Sequence, residues 1–113
     1  MGSKGWDYLD HMIMTCQEME ICLDGIQTVE NFISDIKTRR AVVMCLLDLG
    51  ELLKSIPATE RDIFPENSCK NIIGFRDRAA HGYHTMDFTI VYALAVKLAP
   101  MVYAVLIEKQ SDV

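Results

Sequence analysis

The sequence from Asn71 to Tyr83 reads NIIGFRDRAAHGY, and its apolar residues recur at the spacing of an α-helix. These apolar positions are Ile72, Ile73, Phe75, Ala79 and Ala80. Ser68 precedes the stretch and is a suitable N-cap, because its hydroxyl oxygen can accept a hydrogen bond from a free backbone N–H. Gly82 follows it, and glycine is the residue expected just past a helix end. The pattern therefore predicts a helix that closes at the octet from Arg76 to Tyr83.

This octet concentrates side chains with useful chemistry. Arg76 supplies a permanent cation, His81 a group that titrates near neutrality, and Tyr83 a phenol. At about 100° per residue, Asp77 and His81 lie one turn apart on a shared face. The Asp77 carboxylate can then accept a hydrogen bond from the imidazole and fix its tautomer. An arginine beside them can hold a phosphate oxygen, so the set can bind a phosphodiester and move its protons without a metal.

Structural roles are open for the same residues. Arg76 can instead be a structural arginine paired with an acid such as Glu51 or Asp48. His81 can be a surface histidine whose cation suits the carboxyl end of a helix. Tyr83 can be a phenol packed over the loop with its hydroxyl bonded to the backbone.

Neither the histidines nor the cysteines predict a metal site. His81 and His84 lie close together, but the sequence supplies no further ligands at zinc-site spacings, so no metal is expected. The four cysteines are Cys16, Cys22, Cys45 and Cys69. Each lies among helical apolar residues with no secretory signal before it. Reduced, buried thiols in a cytoplasmic protein are the interpretation that this pattern favours.

The charge is unevenly distributed along the chain. The net charge of −5 argues against a general nucleic-acid coat protein. Residues 1–36 carry one lysine and seven acids, a net of −6, whereas residues 37–113 carry ten basic and nine acidic side chains, a net of +1. The basic side chains near the octet and the preceding long helix are Lys37, Arg39, Arg40, Lys70, Arg76 and Arg78. They form a local basic cleft, or else Lys37, Arg39 and Arg40 are merely a solvated helix start.

The remaining pattern predicts an all-α fold in a single domain, residues 1–113. The chain has 113 residues, half of them hydrophobic, which is enough for one core. Helices are expected at about Ser3–Leu23, Thr28–Ile33 and Asp35–Ser55, then at the octet, and finally after an Asp87 N-cap. This is an up-and-down bundle of four long helices with a short fifth.

The last predicted helix is unusually apolar. In residues 88–107 only Thr89, Lys97 and Pro100 are neither apolar nor aromatic, which by length would allow a membrane span. Lys97 near its middle would cost roughly 2.5–3.5 kcal/mol in a bilayer, and no basic cluster flanks the segment. Its polar or small stripe comprises Thr89, Ala93, Lys97, Pro100, Ala104 and Glu108. Burial in the bundle plus a subunit interface explains the pattern better than lipid does.

The stretch from Asn71 to Tyr83 closely resembles the signature of the HEPN superfamily, within it the HepT-like branch, whose motif is Arg-x4-His-x-Tyr. Arg76, His81 and Tyr83 fill the three motif positions, and Asp77 fills the polar position that commonly follows the arginine. The resemblance extends over nearly the whole chain. Its other segments are Tyr8–Met12, Thr38–Val43, Leu49–Glu51 and Met86–Tyr92. Leu52 departs from the pattern, since relatives often have a small residue there, and this concerns helix packing only.

The resemblance implies a metal-independent endoribonuclease without a cofactor, in which a homodimer brings two copies of Arg76 and His81 into one cleft. Arg76 would be the phosphate clamp, His81 the proton-transfer group and Asp77 the residue that orients the imidazole. HepT-like proteins are toxins of HEPN/MNT toxin–antitoxin pairs. Their antitoxin, a nucleotidyltransferase of the MntA type, adds AMP to the motif tyrosine, here Tyr83. Such an adduct would occupy the anion site and block RNA.

The expected RNA phosphate contacts other than Arg76 are Lys37, Arg39, Arg40, Lys70 and Arg78. Two other functions stay open. One is a non-catalytic helical module that binds a nucleotidyltransferase or its nucleotide, although the presence of both Arg76 and His81 favours the enzyme. The other is a purely structural helical dimer built on the apolar last helix. Membranes and DNA are not expected partners.

Overall fold

The computed structural model describes residues 6–112, apart from the side chain of Ala80, and this range is helical with no strand. Its longer elements are α1 (Leu9–Cys22), α2 (Val29–Ser34), α3 (Ile36–Leu53), α4 (Ser68–Arg78), α5 (Phe88–Ala93) and α6 (Ala99–Ser111). A π-helical segment, Leu94–Leu98, joins α5 and α6 into one continuous helix. Short 3-10 turns lie at Ala58–Ile63, Pro65–Asn67, Ala79–His81 and Tyr83–Thr85. The predicted all-α bundle of four long helices and one short helix is confirmed.

Side-chain caps explain where α2 and α3 begin. The Thr28 hydroxyl accepts a hydrogen bond from the Asn31 N–H at 3.1 Å, and the Asp35 carboxylate accepts one from the Thr38 N–H at 3.0 Å. Each cap satisfies a backbone donor that the first helical turn leaves free. Helix α1 begins at Leu9, several residues later than predicted, and residues 3–5 of that prediction lie outside the described residues.

The start of α4 corrects a second boundary. Ser68 is the first residue of α4 and not its N-cap, a position that belongs to Asn67. Glu66 and Asn67 both adopt left-handed backbone conformations, with φ of 51° and 56°. The chain therefore turns into α4 through its backbone. The Ser68 hydroxyl is buried and has no hydrogen-bond partner among residues 6–112.

The core lies where α1, α3, α4 and the last helix meet. Helix α1 packs on α3, α3 packs on α4, and the last helix contacts both α1 and α4. The residues of α1 that are buried in this core are Leu9, Met12, Ile13, Cys16 and Met19. The four thiols are free, and Cys16, Cys45 and Cys69 are buried as predicted, whereas Cys22 is only partly buried. Burial raises the pKa of Cys16 and Cys45 to about 12 and that of Cys69 to about 11, so these thiols stay protonated and packed.

The last helix accommodates its proline through a wider turn. Pro100 lacks an N–H, and directly before it the Ala99 N–H bonds to the Leu94 carbonyl with π-helical spacing. By length and composition this is the one helix in the described range that is apolar enough to cross a membrane. However, its inward residues Val91, Leu94, Ala95, Ala99, Val102 and Leu106 belong to the core, and all six positions of the predicted polar or small stripe are exposed. The helix is thus an integral part of the bundle.

Candidate active site

The carboxyl end of α4 carries the octet, but the helix changes its geometry before His81. Regular α-helix ends at Arg78, and Ala79–His81 form a 3-10 turn. Gly82 then reverses the chain with a φ of 100°, a conformation that side-chain-bearing residues rarely adopt. Tyr83 begins the next 3-10 turn. This backbone leaves the His81 side chain exposed at the surface while Tyr83 turns back toward α3.

Helices α3 and α4 are in close contact at Gly50. A Cβ atom on Gly50 would lie 2.7 Å from the Arg76 Cβ and 3.0 Å from the Ile72 carbonyl oxygen, too close for any real side chain. The missing side chain therefore allows the backbone of α3 to lie against α4 at the level of the arginine. As a result the next residue, Glu51, lies beside Arg76.

Arg76 is paired in this structure. Its Nε lies 3.5 Å from the Glu51 Oε1, which is the structural pairing that the sequence left open, and Asp48 is not the partner. The contact uses Nε alone. The two terminal nitrogens have no ion-pair partner within the described residues, and the guanidinium is partly exposed. A structural pairing and a phosphate contact are thus compatible, because Glu51 fixes the stem side of the guanidinium and leaves the two-pronged end for an anion.

The expected hydrogen bond between Asp77 and His81 is not observed in the part of the chain that the structure describes. The Asp77 Oδ1 instead lies 2.6 Å from the Lys54 Nζ. The hydrogen bond from Lys54, with further attraction from Lys54 and the neighbouring arginines, holds the pKa of Asp77 below its usual value. The physical reason for the difference is the 3-10 turn, whose tighter winding rotates His81 away from the face that carries Asp77.

Tyr83 is packed more deeply than a modification site on an open loop would be. The Arg40 guanidinium lies 4.2 Å above the centre of its ring, and the Phe88 ring packs at 5.0 Å. The hydroxyl is buried without a hydrogen-bond partner in residues 6–112, so the predicted bond to the backbone is not observed either. A buried hydroxyl without a hydrogen-bond partner destabilises the packed position. The free energy needed to move Tyr83 out of this position is therefore small.

The basic residues expected to contact RNA divide into two groups. Arg39 stacks on Phe88 at 4.7 Å, and Arg40 stacks on Tyr83. Arg78 belongs to the octet itself and lies next to Gly74 on α4. Lys70 instead pairs with Asp62 at 2.7 Å. Lys37 lies on a different surface, with Gly25 and Ile26. The structure therefore brings Arg39, Arg40 and Arg78 to the site and leaves Lys37 and Lys70 outside it.

A cleft of about 500 Å³ opens next to His81, between the end of α4 and the start of α5. Its walls include Phe75, Arg78, His81, Met86, Asp87 and Ile90. The sequence analysis missed this cleft and also missed Lys54. A sequence signal for Lys54 was available, since it is a cation about one helical turn after Glu51. Within residues 6–112 no group of three or more potential ligand side chains is arranged to hold a metal ion.

The sequence profile of the family described as Ribonuclease HepT-like matches residues 12–108. A protein of Caldanaerobacter subterraneus subsp. tengcongensis, provisionally named an RNase, is 30% identical over 93 residues, 82% of this chain and 82% of that protein. A protein of Methanocaldococcus jannaschii with the same provisional name is 33% identical over 89 residues, 79% of this chain and 67% of its own. One of Thermococcus cleftensis, provisionally named ribonuclease HepT, is 32% identical over 73 residues, 65% of this chain and 61% of its own. No solved structure gives a significant match.

Proposed function

The chain belongs to the HepT-like ribonuclease family, and from that premise we propose that it is a metal-independent endoribonuclease toxin of a HEPN/MNT pair. The main support for this proposal is the arrangement of side chains at the carboxyl end of α4. There the exposed His81 follows within two turns of Arg76, whose guanidinium is fixed at Nε by Glu51. A held cation and an exposed imidazole at one helix end are groups that each protomer can contribute to phosphodiester cleavage by the RNA's own 2′-hydroxyl.

The reaction needs two proton-transfer groups, and each protomer contributes one His81. We propose that a homodimer supplies both. One imidazole removes the 2′-hydroxyl proton, and the 2′-oxygen attacks phosphorus to form a 2′,3′-cyclic phosphate. The imidazolium of the other protomer donates a proton to the departing 5′-oxygen. The two Arg76 guanidinium groups stabilise the negative charge of the pentacovalent species through their terminal nitrogens.

Cleavage is tested with purified protein and total RNA in the presence of a chelator. The wild-type protein is expected to cut the RNA, and His81→Ala and Arg76→Ala are expected to lose about 10²-fold or more of that activity. Retention of cleavage by His81→Ala would remove the role assigned to this residue. The control is Glu30→Gln on α2, which changes an exposed acid outside the site. It shows how much activity is lost through substitution and purification alone.

The composite site has its own test. Differently tagged wild-type and His81→Ala chains are co-expressed, and the mixed dimer is purified through both tags. A site that needs both imidazoles leaves the mixed dimer nearly inactive. Two independent sites would leave it with about half of the wild-type activity, which would contradict the composite proposal while leaving the nuclease intact.

We further propose that an MntA-type nucleotidyltransferase neutralises the enzyme by transferring AMP to Tyr83. In this step the phenol oxygen attacks the α-phosphorus of ATP, pyrophosphate leaves, and the phenol proton is lost. The adduct places a phosphate next to Arg40, whose guanidinium already lies over the ring. Because the hydroxyl is buried, the Tyr83–Thr85 turn has to open before transfer. Mass spectrometry of the co-expressed pair, with Tyr83→Phe as the control, tests this step.

A non-catalytic module that binds such a nucleotidyltransferase is the second candidate. The pairing of Arg76 with Glu51 favours it, since that contact gives the arginine a structural role. Protein that leaves RNA intact, yet co-purifies with the nucleotidyltransferase and raises its melting temperature, would establish this function in place of cleavage.

A further inference from the structure

The cleft next to His81 is larger than one imidazole and its phosphate require. Its volume is about 500 Å³, and it extends from the end of α4 to the first turn of α5. On one side it is bounded by the proposed proton-transfer group. A ligand in this cleft would therefore lie directly beside the phosphate that is cut.

The floor of the cleft is apolar. Phe75, Met86 and Ile90 contribute to it, and Ile90 is 52% exposed although it is a large aliphatic residue. A pocket with this lining binds ligands that have flat apolar faces, because burial of those faces removes apolar surface from water.

The lining of the cleft also includes two charged side chains, Asp87 and Arg78, which we call its polar rim. The Asp87 Oδ1 accepts a hydrogen bond from the Thr89 N–H at 2.9 Å, which caps α5. Its second carboxylate oxygen has no hydrogen-bond partner among the described residues and can accept from a ligand. Arg78 lies in the same lining and supplies a cation for a phosphate.

We infer that this cleft is a subsite for a single unpaired nucleobase of the RNA, adjacent to the scissile phosphate. A base has two apolar faces for the floor, hydrogen-bonding groups at its edge for Asp87, and a phosphate on either side for Arg78. Single-stranded RNA is recognised in this way, through stacked bases whose edges are read by side chains. The identity of the ligand as RNA rests on the proposed function.

The geometry also favours one kind of base. A carboxylate only accepts hydrogen bonds, so it suits an edge that carries adjacent donors. Guanine offers two neighbouring donors on its Watson–Crick edge, whereas uracil offers one donor flanked by two acceptors. The subsite is therefore selective for guanine over uracil by about fivefold to tenfold, a modest ratio because one carboxylate makes the contact.

The first experiment measures binding and not cleavage, so that it remains informative if the protein does not cut RNA. Fluorescently labelled, 2′-O-methylated hexamers of guanosine-containing and uridine-only sequence are titrated with wild-type protein, and anisotropy gives the Kd. We expect the guanosine-containing hexamer to bind about fivefold to tenfold more tightly. Equal Kd values would overturn the selectivity.

Asp87→Asn is the informative variant. Asparagine caps a helix about as well as aspartate, so α5 stays intact, but an amide presents a donor as well as an acceptor to the cleft. The guanosine preference is expected to fall to about twofold or less in Asp87→Asn. An unchanged preference, with an unchanged melting temperature, would remove Asp87 from the subsite.

Ile90→Ala tests the floor against a matched control. Ile63→Ala truncates an isoleucine of nearly equal exposure, 53%, on the 3-10 turn Ala58–Ile63, outside the cleft. Ile90→Ala is expected to raise the Kd of both hexamers about fivefold and Ile63→Ala to leave it unchanged. If Ile90→Ala instead weakens only self-association, as measured by sedimentation, the cleft is covered by a second protomer and the nucleobase subsite is wrong.

Discussion

The Lys54 Nζ lies 2.6 Å from the Asp77 Oδ1 and so joins the last turn of α3 to the last turn of α4. Lys54 also lies 3.8 Å from Glu51, which in turn contacts Arg76 at 3.5 Å. The four side chains form a row of alternating charge across the interface of the two helices. Each contact is at the surface and is worth little for stability by itself. The row instead limits where the Arg76 guanidinium can point.

Glu51→Gln should therefore weaken cleavage more than it weakens the fold. Glutamine keeps the length and an accepting oxygen but loses the charge that holds Nε of Arg76. We expect kcat/KM for RNA to fall about tenfold, which corresponds to about 1.4 kcal/mol of transition-state stabilisation. The melting temperature should change by less than about 2 °C. Unchanged kcat/KM in Glu51→Gln would show that Glu51 does not position the arginine.

Asp77→Asn should leave the tautomer of the His81 imidazole unchanged. In the structure the Asp77 carboxylate is paired with Lys54, and no hydrogen bond joins it to His81 within the described residues. Long-range ¹H–¹⁵N NMR of the imidazoles should give the same Nδ1 and Nε2 chemical shifts for His81 in the variant as in the wild type. A change in these two shifts in Asp77→Asn would mean that the carboxylate does bond to the imidazole and that the orienting role holds in solution.

Much of the fold follows from local sequence signals. Helix starts were predicted near Thr28 and Asp35, and in the structure both residues cap their helices through a bond to the N–H three residues later, which is a local feature. The stripe from Thr89 to Glu108 predicted the exposed side of the last helix, because helical period alone determines which positions share a face. The start of α4 was not predictable in the same way. There the left-handed backbone at Glu66 and Asn67 replaces a side-chain cap.

The sequence proposes the candidate site residues, but it does not predict their contacts. The motif spacing proposes Arg76, His81 and Tyr83, and a helix that is assumed to continue regularly places His81 on the Asp77 face. Whether the last turn tightens to 3-10 geometry depends on contacts that the local pattern does not contain. Arg40 over Tyr83 is likewise a tertiary contact between residues far apart in the chain. Periodicity within one helix carries no information about such pairs.

Gly50→Ala should destabilise the protein, whereas Gly74→Ala should not. At Gly50 the new Cβ would meet the Arg76 Cβ at 2.7 Å and the Ile72 carbonyl oxygen at 3.0 Å, and neither atom can move without shifting α4. At Gly74 its nearest neighbour is the flexible end of Arg78, at 3.1 Å. The overpacking costs about 1–3 kcal/mol, against a gain of about 1 kcal/mol in helix propensity at either position.

Urea denaturation of both glycine variants measures this difference. We expect a lower midpoint for Gly50→Ala and an equal or higher midpoint for Gly74→Ala, with unchanged m-values. Gly50→Ala should also lose RNA cleavage, because a displaced α4 separates Arg76 from Glu51. Equal midpoints for the two variants would show that α3 and α4 are not in close contact at this level.

The Asp35 cap gives the fold a defined sensitivity to acid. Hydrogen bonds from Thr38 hold the pKa of Asp35 below its ordinary value of 3.8. A carboxyl whose pKa is lower in the folded state contributes stability that is fully present above about pH 4 and is lost as the pH falls through the folded pKa. Asp35→Asn keeps a capping oxygen but does not titrate. Its melting temperature should therefore fall less than that of the wild type between pH 5 and pH 3.

Arg40→Ala should make Tyr83 easier to modify. The guanidinium lies 4.2 Å above the ring, a contact worth about 0.5–1 kcal/mol at a partly exposed site, and it helps to keep the hydroxyl buried. Its removal should raise the rate of AMP transfer to Tyr83 about twofold to fivefold, as measured by mass spectrometry with a purified nucleotidyltransferase and ATP. Arg39→Ala, which removes the neighbouring stack on Phe88, is the matched control. A slower transfer in Arg40→Ala would instead mean that Arg40 binds the incoming phosphate, and the barrier to modification would then have to lie in the Phe88 packing.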